Sequence, residues 1–153
     1  QTMDLAACLQ DLIQEYRLHA DSSKLNIYFD FTDSGAAKAA LINTCPDAVR
    51  LILSNLLSNA VKYAADRQIW ISLSCRENGF LICLKNMVGD PGLLDLEKIW
   101  DPFYVAEPSR NKDMSGTGLG LTIVRTTAAK YGMDCTCALE NQMITFSLFV
   151  KPL

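Results

Sequence analysis

The sequence has one histidine, His19, no excess of positive charge, and no unbroken apolar run of about 18 residues. Each absence removes a class of function. Without such a run, no segment is predicted to cross a membrane as a helix. No signal peptide is readable at the start, and the abrupt opening Gln1-Thr2-Met3 is expected of a piece of a longer chain. Fourteen Lys and Arg stand against 17 Asp and Glu, a net charge of −3. Nucleic-acid and acidic-membrane binders need a basic excess or patch, so both are excluded as partners. Cysteine is present but not in a metal pattern: Cys8, Cys45, Cys75, Cys83, Cys135 and Cys137 lack the two close pairs of a zinc site. They are read as reduced thiols of a cytosolic protein, mostly at apolar positions, where free cysteine behaves as a small hydrophobe.

With eight glycines, five prolines and half its residues hydrophobic, the chain reads as globular, without repeats or low-complexity segments. Residues 1–153 are taken as one domain, long enough to bury roughly 70% of the unfolded surface. The glycines that do occur are concentrated in Met114-Ser115-Gly116-Thr117-Gly118-Leu119-Gly120-Leu121-Thr122-Ile123-Val124. Three alternate glycines disfavour a helix, each costing about 1 kcal/mol against alanine. A helical pattern nevertheless begins behind them, with Leu119, Ile123, Thr127 and Tyr131 close to one face. A glycine loop that opens a helix points free backbone N–H groups at an anion, usually a phosphate. The stretch matches neither the dinucleotide fingerprint nor a Walker loop.

The first helix is expected over 4–18, from the stripe Leu5, Cys8, Leu9, Leu12, Ile13 and Tyr16 with Asp4 near its start. Lys24 to Phe31 alternates as a strand, and Ala39 to Asn43 is expected to be its hairpin partner through Ser34-Gly35. A second helix is predicted from Pro46 to about Ala64, burying Val49, Ile52, Leu53, Leu56 and Ala60. Asn55, Asn59 and Lys62 fall in a narrow stripe at the edge of that face, with Tyr63 beside them. Amides beside an apolar face need polar partners, and an amide oxygen is a hard ligand suited to Mg²⁺ bound with phosphates. Two surface asparagines on a solvated flank would give the same pattern.

Ile69 to Asn86 is a β-hairpin, with Asn78-Gly79 read as its two-residue turn. That turn sets Cys75 against Ile82, Leu73 against Leu84 and Ile71 against Asn86. Asn86 is the polar end of an otherwise apolar sheet face. A short helix is expected around Leu94–Ile99, then the aromatic knot Trp100-Asp101-Pro102-Phe103-Tyr104. Residues 105–116 are polar and read as a mobile loop. Met133–Leu139 and Ile144–Val150 alternate as a closing hairpin.

Three of these stretches, in this order, resemble the boxes of one family. Asn55-Leu56-Leu57-Ser58-Asn59-Ala60-Val61-Lys62-Tyr63 resembles the asparagine box of bacterial sensor histidine kinases. Trp100-Asp101-Pro102-Phe103-Tyr104 resembles their phenylalanine box, and Ser115-Gly116-Thr117-Gly118-Leu119-Gly120-Leu121 their second glycine box. The loop after Asn86 occupies the place of the first glycine box. The resemblance covers nearly the whole chain and implies the catalytic, ATP-binding domain of such a kinase. Its fold would be the Bergerat fold shared with gyrase-, Hsp90- and MutL-type ATPases. That is an α/β (α+β) two-layer sandwich, a mixed, mostly antiparallel sheet with about three helices on one face.

The resemblance implies ATP and Mg²⁺ as cofactors. Asn59 would hold the metal, Asn55 would support the phosphate end, Lys62 would contact phosphate, and Tyr63 would pack near sugar and base. Residues 101–117 would form the ATP lid, with Arg110 and Lys112 closing on the phosphates. Gly116, Thr117, Gly118, Leu119 and Gly120 would line the phosphate loop with backbone donors. In ATPase relatives an acid that activates water stands one turn before the metal asparagine. Here it is Asn55, which cannot act as a general base, so a kinase is preferred to a hydrolase. The γ-phosphoryl group would pass to a histidine on an upstream, dimerising helical hairpin of the same protein, and onward to a response regulator. The domain would be cytoplasmic and its parent anchored in the cell membrane. His19 lacks the acid and proline that follow the family's acceptor histidine.

Two departures stand out. Asn86 occupies the place of the first glycine box's adenine-reading Asp, with Asp90 as the alternative position. Cys45 stands where a helix-starting Asp is common, a cap loss of about 1 kcal/mol. A degenerate nucleotide-binding scaffold and an anti-sigma-factor-type serine kinase are the other readings.

Overall fold

The computed structural model describes residues 1–18, 25–32, 39–104 and 119–153. A short strand β1 (Thr2–Asp4) runs straight into helix α1 (Leu5–Leu18). Asp4 makes that junction: its carboxylate oxygen accepts from the backbone N–H groups of Ala6 and Ala40, both at 3.0 Å. One side chain thus caps the helix and fastens the segment before strand β3 (Leu41–Asn43).

Strand β2 (Asn26–Thr32) forms as the alternation predicts, but β3 is not its hairpin partner. β3 pairs antiparallel with β1, Met3 opposite Ile42, in a separate two-stranded sheet. Three residues of β1 are too few for alternation to reveal a strand, so the sequence offered β3 the wrong neighbour. β2 instead lies parallel to strand β4 (Gln68–Arg76) at one edge of a five-stranded sheet of order β2-β4-β5-β7-β6. The remaining pairings, among β4, β5 (Gly79–Met87), β7 (Met143–Val150) and β6 (Asp134–Glu140), are antiparallel.

One face of this sheet is buried and the other is not. Ile69, Ile71, Leu73, Ile82, Leu84, Phe146, Leu148 and Val150 are sealed from solvent, while their strand neighbours stay partly exposed. Helices α1, α2 (Pro46–Tyr63) and α3 (Gly120–Lys130) supply the opposing layer, chiefly Leu5, Leu9, Val49, Ile52, Leu53, Leu56, Leu57 and Val124. The result is the mixed, mostly antiparallel two-layer sandwich expected. Among the described residues, no helix is long and apolar enough to cross a membrane.

The β4–β5 hairpin keeps the predicted faces but not the predicted pairs. Cys75 opposes Phe80, Leu73 opposes Ile82, Ile71 opposes Leu84, and Ile69 opposes Asn86. The turn is Glu77-Asn78, and Gly79 is already the first residue of β5, opposite Arg76. The glycine serves a close approach: a Cβ there would stand 2.2 Å from the carbonyl oxygen of Val150. A shift of an even number of residues leaves every side chain on its original face, so the core is unaffected. The short helix expected at Leu94–Ile99 is absent. In its place a 3₁₀ turn at Pro91–Leu93 precedes hydrogen-bonded turns, with the N–H groups of Lys98 and Ile99 both donating to the Asp95 carbonyl.

Candidate functional site

Asn55, Asn59 and Lys62 lie along α2 at the edge between its buried stripe and solvent, and all three are half-buried. Spacings of four and three residues put them on one side of the helix. The Asn55 amide nitrogen donates to the Leu51 carbonyl at 2.8 Å. That leaves its oxygen beside Gly120, where an added Cβ would stand 3.2 Å from Asn55 Oδ1. The last glycine of the glycine-rich stretch and the first asparagine of α2, far apart in sequence, are therefore in contact distance. Asn59 and Lys62 make no side-chain hydrogen bond or ion pair with other described residues. Tyr63 ends the helix, partly exposed.

Opposite this helix edge, α3 starts at Gly120 with Leu119 as its cap residue, whose side chain makes no capping hydrogen bond. A helix start leaves backbone N–H groups without intrahelical acceptors and carries the positive end of the helix dipole. Leu119 and Gly120 therefore present donors where Asn55 sits. Arg110, Lys112, Gly116, Thr117 and Gly118, most of the 101–117 lid, and His19 lie outside the described residues.

Asn86 lies near the end of β5. It is buried, 2% exposed, and its amide nitrogen donates to the Met87 carbonyl at 3.1 Å. The same carbonyl accepts from the N–H of Ala65 at 2.9 Å, which ties the end of α2, and so Tyr63, to the end of β5. With its nitrogen committed, the Asn86 oxygen is the atom left to accept a hydrogen bond. Asp90, the other candidate, is exposed and accepts from the N–H of Gly92 at 3.1 Å within its own turn.

The aromatic knot comes apart into three separate duties. The Trp100 ring packs edge-on against Phe146, centroids 5.8 Å apart and planes at 87°. The guanidinium of Arg125 stands 4.8 Å over the same ring, and Thr122 donates its hydroxyl to the Trp100 carbonyl at 2.8 Å. Tyr104 pins the preceding loop, its hydroxyl accepting from Asp95 N and donating to Leu93 O. Phe103 is 73% exposed, with a backbone φ of 65° that a non-glycine residue rarely adopts. Thr122 and Arg125 are absent from the sequence-predicted set. Their three-residue spacing on α3 was visible, but nothing in the sequence paired them with Trp100.

The cysteines stand apart from this edge. Burial pushes the thiols of Cys135 and Cys137 up to about 12, so neither offers a thiolate near neutral pH. All six cysteines are free, and no cluster of His, Cys, Asp or Glu among the described residues could hold a metal.

Two amides and a lysine thus lie on one edge of α2 beside the start of α3, and the end of α2 is tied to the strand end that carries the buried Asn86. The family model for histidine kinase-, DNA gyrase B- and HSP90-like ATPases matches residues 44–152, and the chain belongs to that family. Its relatives narrow this to the ATP-binding domain of sensor histidine kinases. The chain is 36% identical over 123 residues to the sensor histidine kinase YcbM of Bacillus subtilis, covering 73% of this chain and 40% of that protein. It is 29% identical over 147 residues to the probable sensor protein PcoS of Escherichia coli, covering 95% of this chain and 30% of that one. The chain thus spans less than half the length of either relative. In fold it matches a nucleotide-free catalytic domain of the histidine kinase ThkA, with a TM-score of 0.76 at 19% identity over 99% of this chain and 94% of that one. Full-length ShkA in complex with AMPPNP gives a TM-score of 0.72 at 20% identity, covering 99% of this chain and 31% of that chain.

Proposed function

We propose that this domain binds Mg-ATP and donates the γ-phosphoryl group to a histidine on a separate phosphoacceptor hairpin, in two-component signalling. The carrying observation is the contact between Asn55 and Gly120, which sets the asparagine edge of α2 against the start of α3. Asn59 fits the metal: its side chain has no hydrogen-bond partner among the described residues, and its amide oxygen is a hard donor. Mg²⁺ characteristically takes one or two protein ligands and completes its shell with water and phosphate oxygens, so the absence of a carboxylate cluster among the described residues is compatible with it. When bound, the ion would neutralise charge on the phosphates.

The chain's own residues hold and orient. Lys62 supplies a point charge toward the phosphates, and the backbone N–H groups of Leu119 and Gly120 supply donors. Asn86 accepts from the adenine amino group through its oxygen, while Tyr63 lies by the sugar and base. In sequence, Arg110, Lys112, Gly116, Thr117 and Gly118 lie in the stretch that leads into these donors and would complete the phosphate contacts. Phosphoryl transfer asks the protein for position and charge more than for covalent chemistry. Asn55 has no basic group with which to activate water, which favours transfer over hydrolysis. The acceptor histidine, the dimer, the response regulator and a membrane anchor would belong to the parent protein.

The test is calorimetric titration of the domain with a non-hydrolysable ATP analogue, with and without Mg²⁺, followed by phosphotransfer to a supplied acceptor hairpin. Metal-dependent binding with transfer supports the reading. Failure to bind nucleotide at millimolar concentration would favour the scaffold reading, which Asn86 in place of an acid motivates. Transfer to serine of a supplied anti-sigma antagonist, with none to histidine, would favour the serine kinase.

A further inference from the structure

We propose that Thr122 and Arg125 are positioning residues of the nucleotide site, acting through Trp100; this rests on the ATP-binding reading above. Among the described residues, few buried side chains anchor the start of α3. Of its eleven residues only Val124 and Ala128 are buried, both beyond the first turn, Leu121 is half-buried against the core, and the Leu119 side chain makes no capping hydrogen bond. The first turn carries Gly120, which must stay within reach of the Asn55 oxygen if the backbone donors are to face the phosphate end.

Trp100 supplies a further hold. Its ring packs edge-on against Phe146, which is 3% exposed on the inner strand β7. The Arg125 guanidinium lies over the same ring at 4.8 Å, and the Trp100 carbonyl takes the Thr122 hydroxyl at 2.8 Å. Thr122 and Arg125 stand three residues apart, so they share a helix face and grip one residue at two points. The tie runs from the sheet, through one residue, to the first two turns of α3: Arg125 holds the Trp100 ring and Thr122 its carbonyl. Arg125 is exposed, so its place over the ring is not forced by burial. Releasing either grip leaves the helix folded but lets its first turn drift from Asn55.

The experiment compares Thr122→Val, Thr122→Ser, Arg125→Ala and Arg125→Lys with the wild-type domain. Each is titrated with a fluorescent ATP analogue in Mg²⁺, and its thermal unfolding is recorded. Thr122→Val and Arg125→Ala are expected to weaken binding about three- to tenfold each, the scale of one lost hydrogen bond or cation–π contact. Thr122→Ser and Arg125→Lys, which keep the hydroxyl and the cation, should recover most of the affinity. The double variant Thr122→Val/Arg125→Ala should lose less than the product of the single losses, because both grips act on Trp100. Unchanged affinity in Thr122→Val and Arg125→Ala, with a wild type that binds, would overturn the positioning role alone. So would losses that track unfolding temperature and are not recovered by the conservative variants. A wild type that binds no nucleotide would overturn the site itself.

Discussion

Cys45 begins α2, the helix of Asn55, Asn59 and Lys62, and it does so badly. Its backbone has the extended conformation of a cap residue, but its side chain makes no hydrogen bond to the first turn of α2. Replacing it with Asp supplies the missing acceptor and a negative charge at the positive helix end. Cys45→Asp should raise stability by about 1 kcal/mol in denaturant unfolding. At Cys135 and Cys137 the chemistry is opposite in kind, since burial holds the folded thiols up to about 12 from an ordinary 9.0. The unfolded chain therefore loses these protons first. Stability is intact below pH 9 and falls as pH rises from about 9 to about 12, where the unfolded state binds fewer protons. Denaturant midpoints under reducing conditions should show this decline, and a Cys135→Ala/Cys137→Ala double variant should show a shallower one.

At the scale of elements, two glycines separate folding from function. Gly79 lies under the Val150 carbonyl, and a Cβ at 2.2 Å from a backbone oxygen cannot be accommodated without moving β5 from β7. Gly79→Ala should cost about 2 kcal/mol in unfolding free energy, an overpacking penalty. Gly120 is different: its neighbour at 3.2 Å is the end of a side chain, and alanine is favoured over glycine within a helix by about 1 kcal/mol. Gly120→Ala should leave the unfolding temperature level or raised while weakening ATP-analogue binding several-fold, read by calorimetry and thermal melting together. The sequence made the glycine run conspicuous, but it could not say which glycine touches what. The same gap explains the hairpin. Asn78-Gly79 is the favoured turn by local conformation, whereas the observed register answers to β7, a strand more than sixty residues further on. Periodicity was enough for α1, α2 and the sheet's buried face, because those patterns are local. The partner of β3, the path of 91–104 and the Trp100 tie depend on contacts between distant segments, and no local pattern encodes them.

Across the whole molecule, the apolar core and the proposed ligand edge occupy different surfaces. The buried sheet face and the helices opposite it are almost wholly apolar, and Asn86 is the polar member that intrudes, at the end nearest Tyr63. Asn55, Asn59 and Lys62 sit at the rim of that core, so their removal should not open it. This arrangement was legible as an edge of amides and a lysine, while its closure by α3 required the fold. The most direct test is titration of Asn59→Ala with an ATP analogue, with and without Mg²⁺, beside the wild type. The account predicts that the wild type binds more tightly with Mg²⁺, and that Asn59→Ala loses on the order of tenfold or more in affinity, together with the metal dependence, at an unchanged unfolding temperature. Binding by Asn59→Ala as tight and as metal-dependent as the wild type's would contradict it.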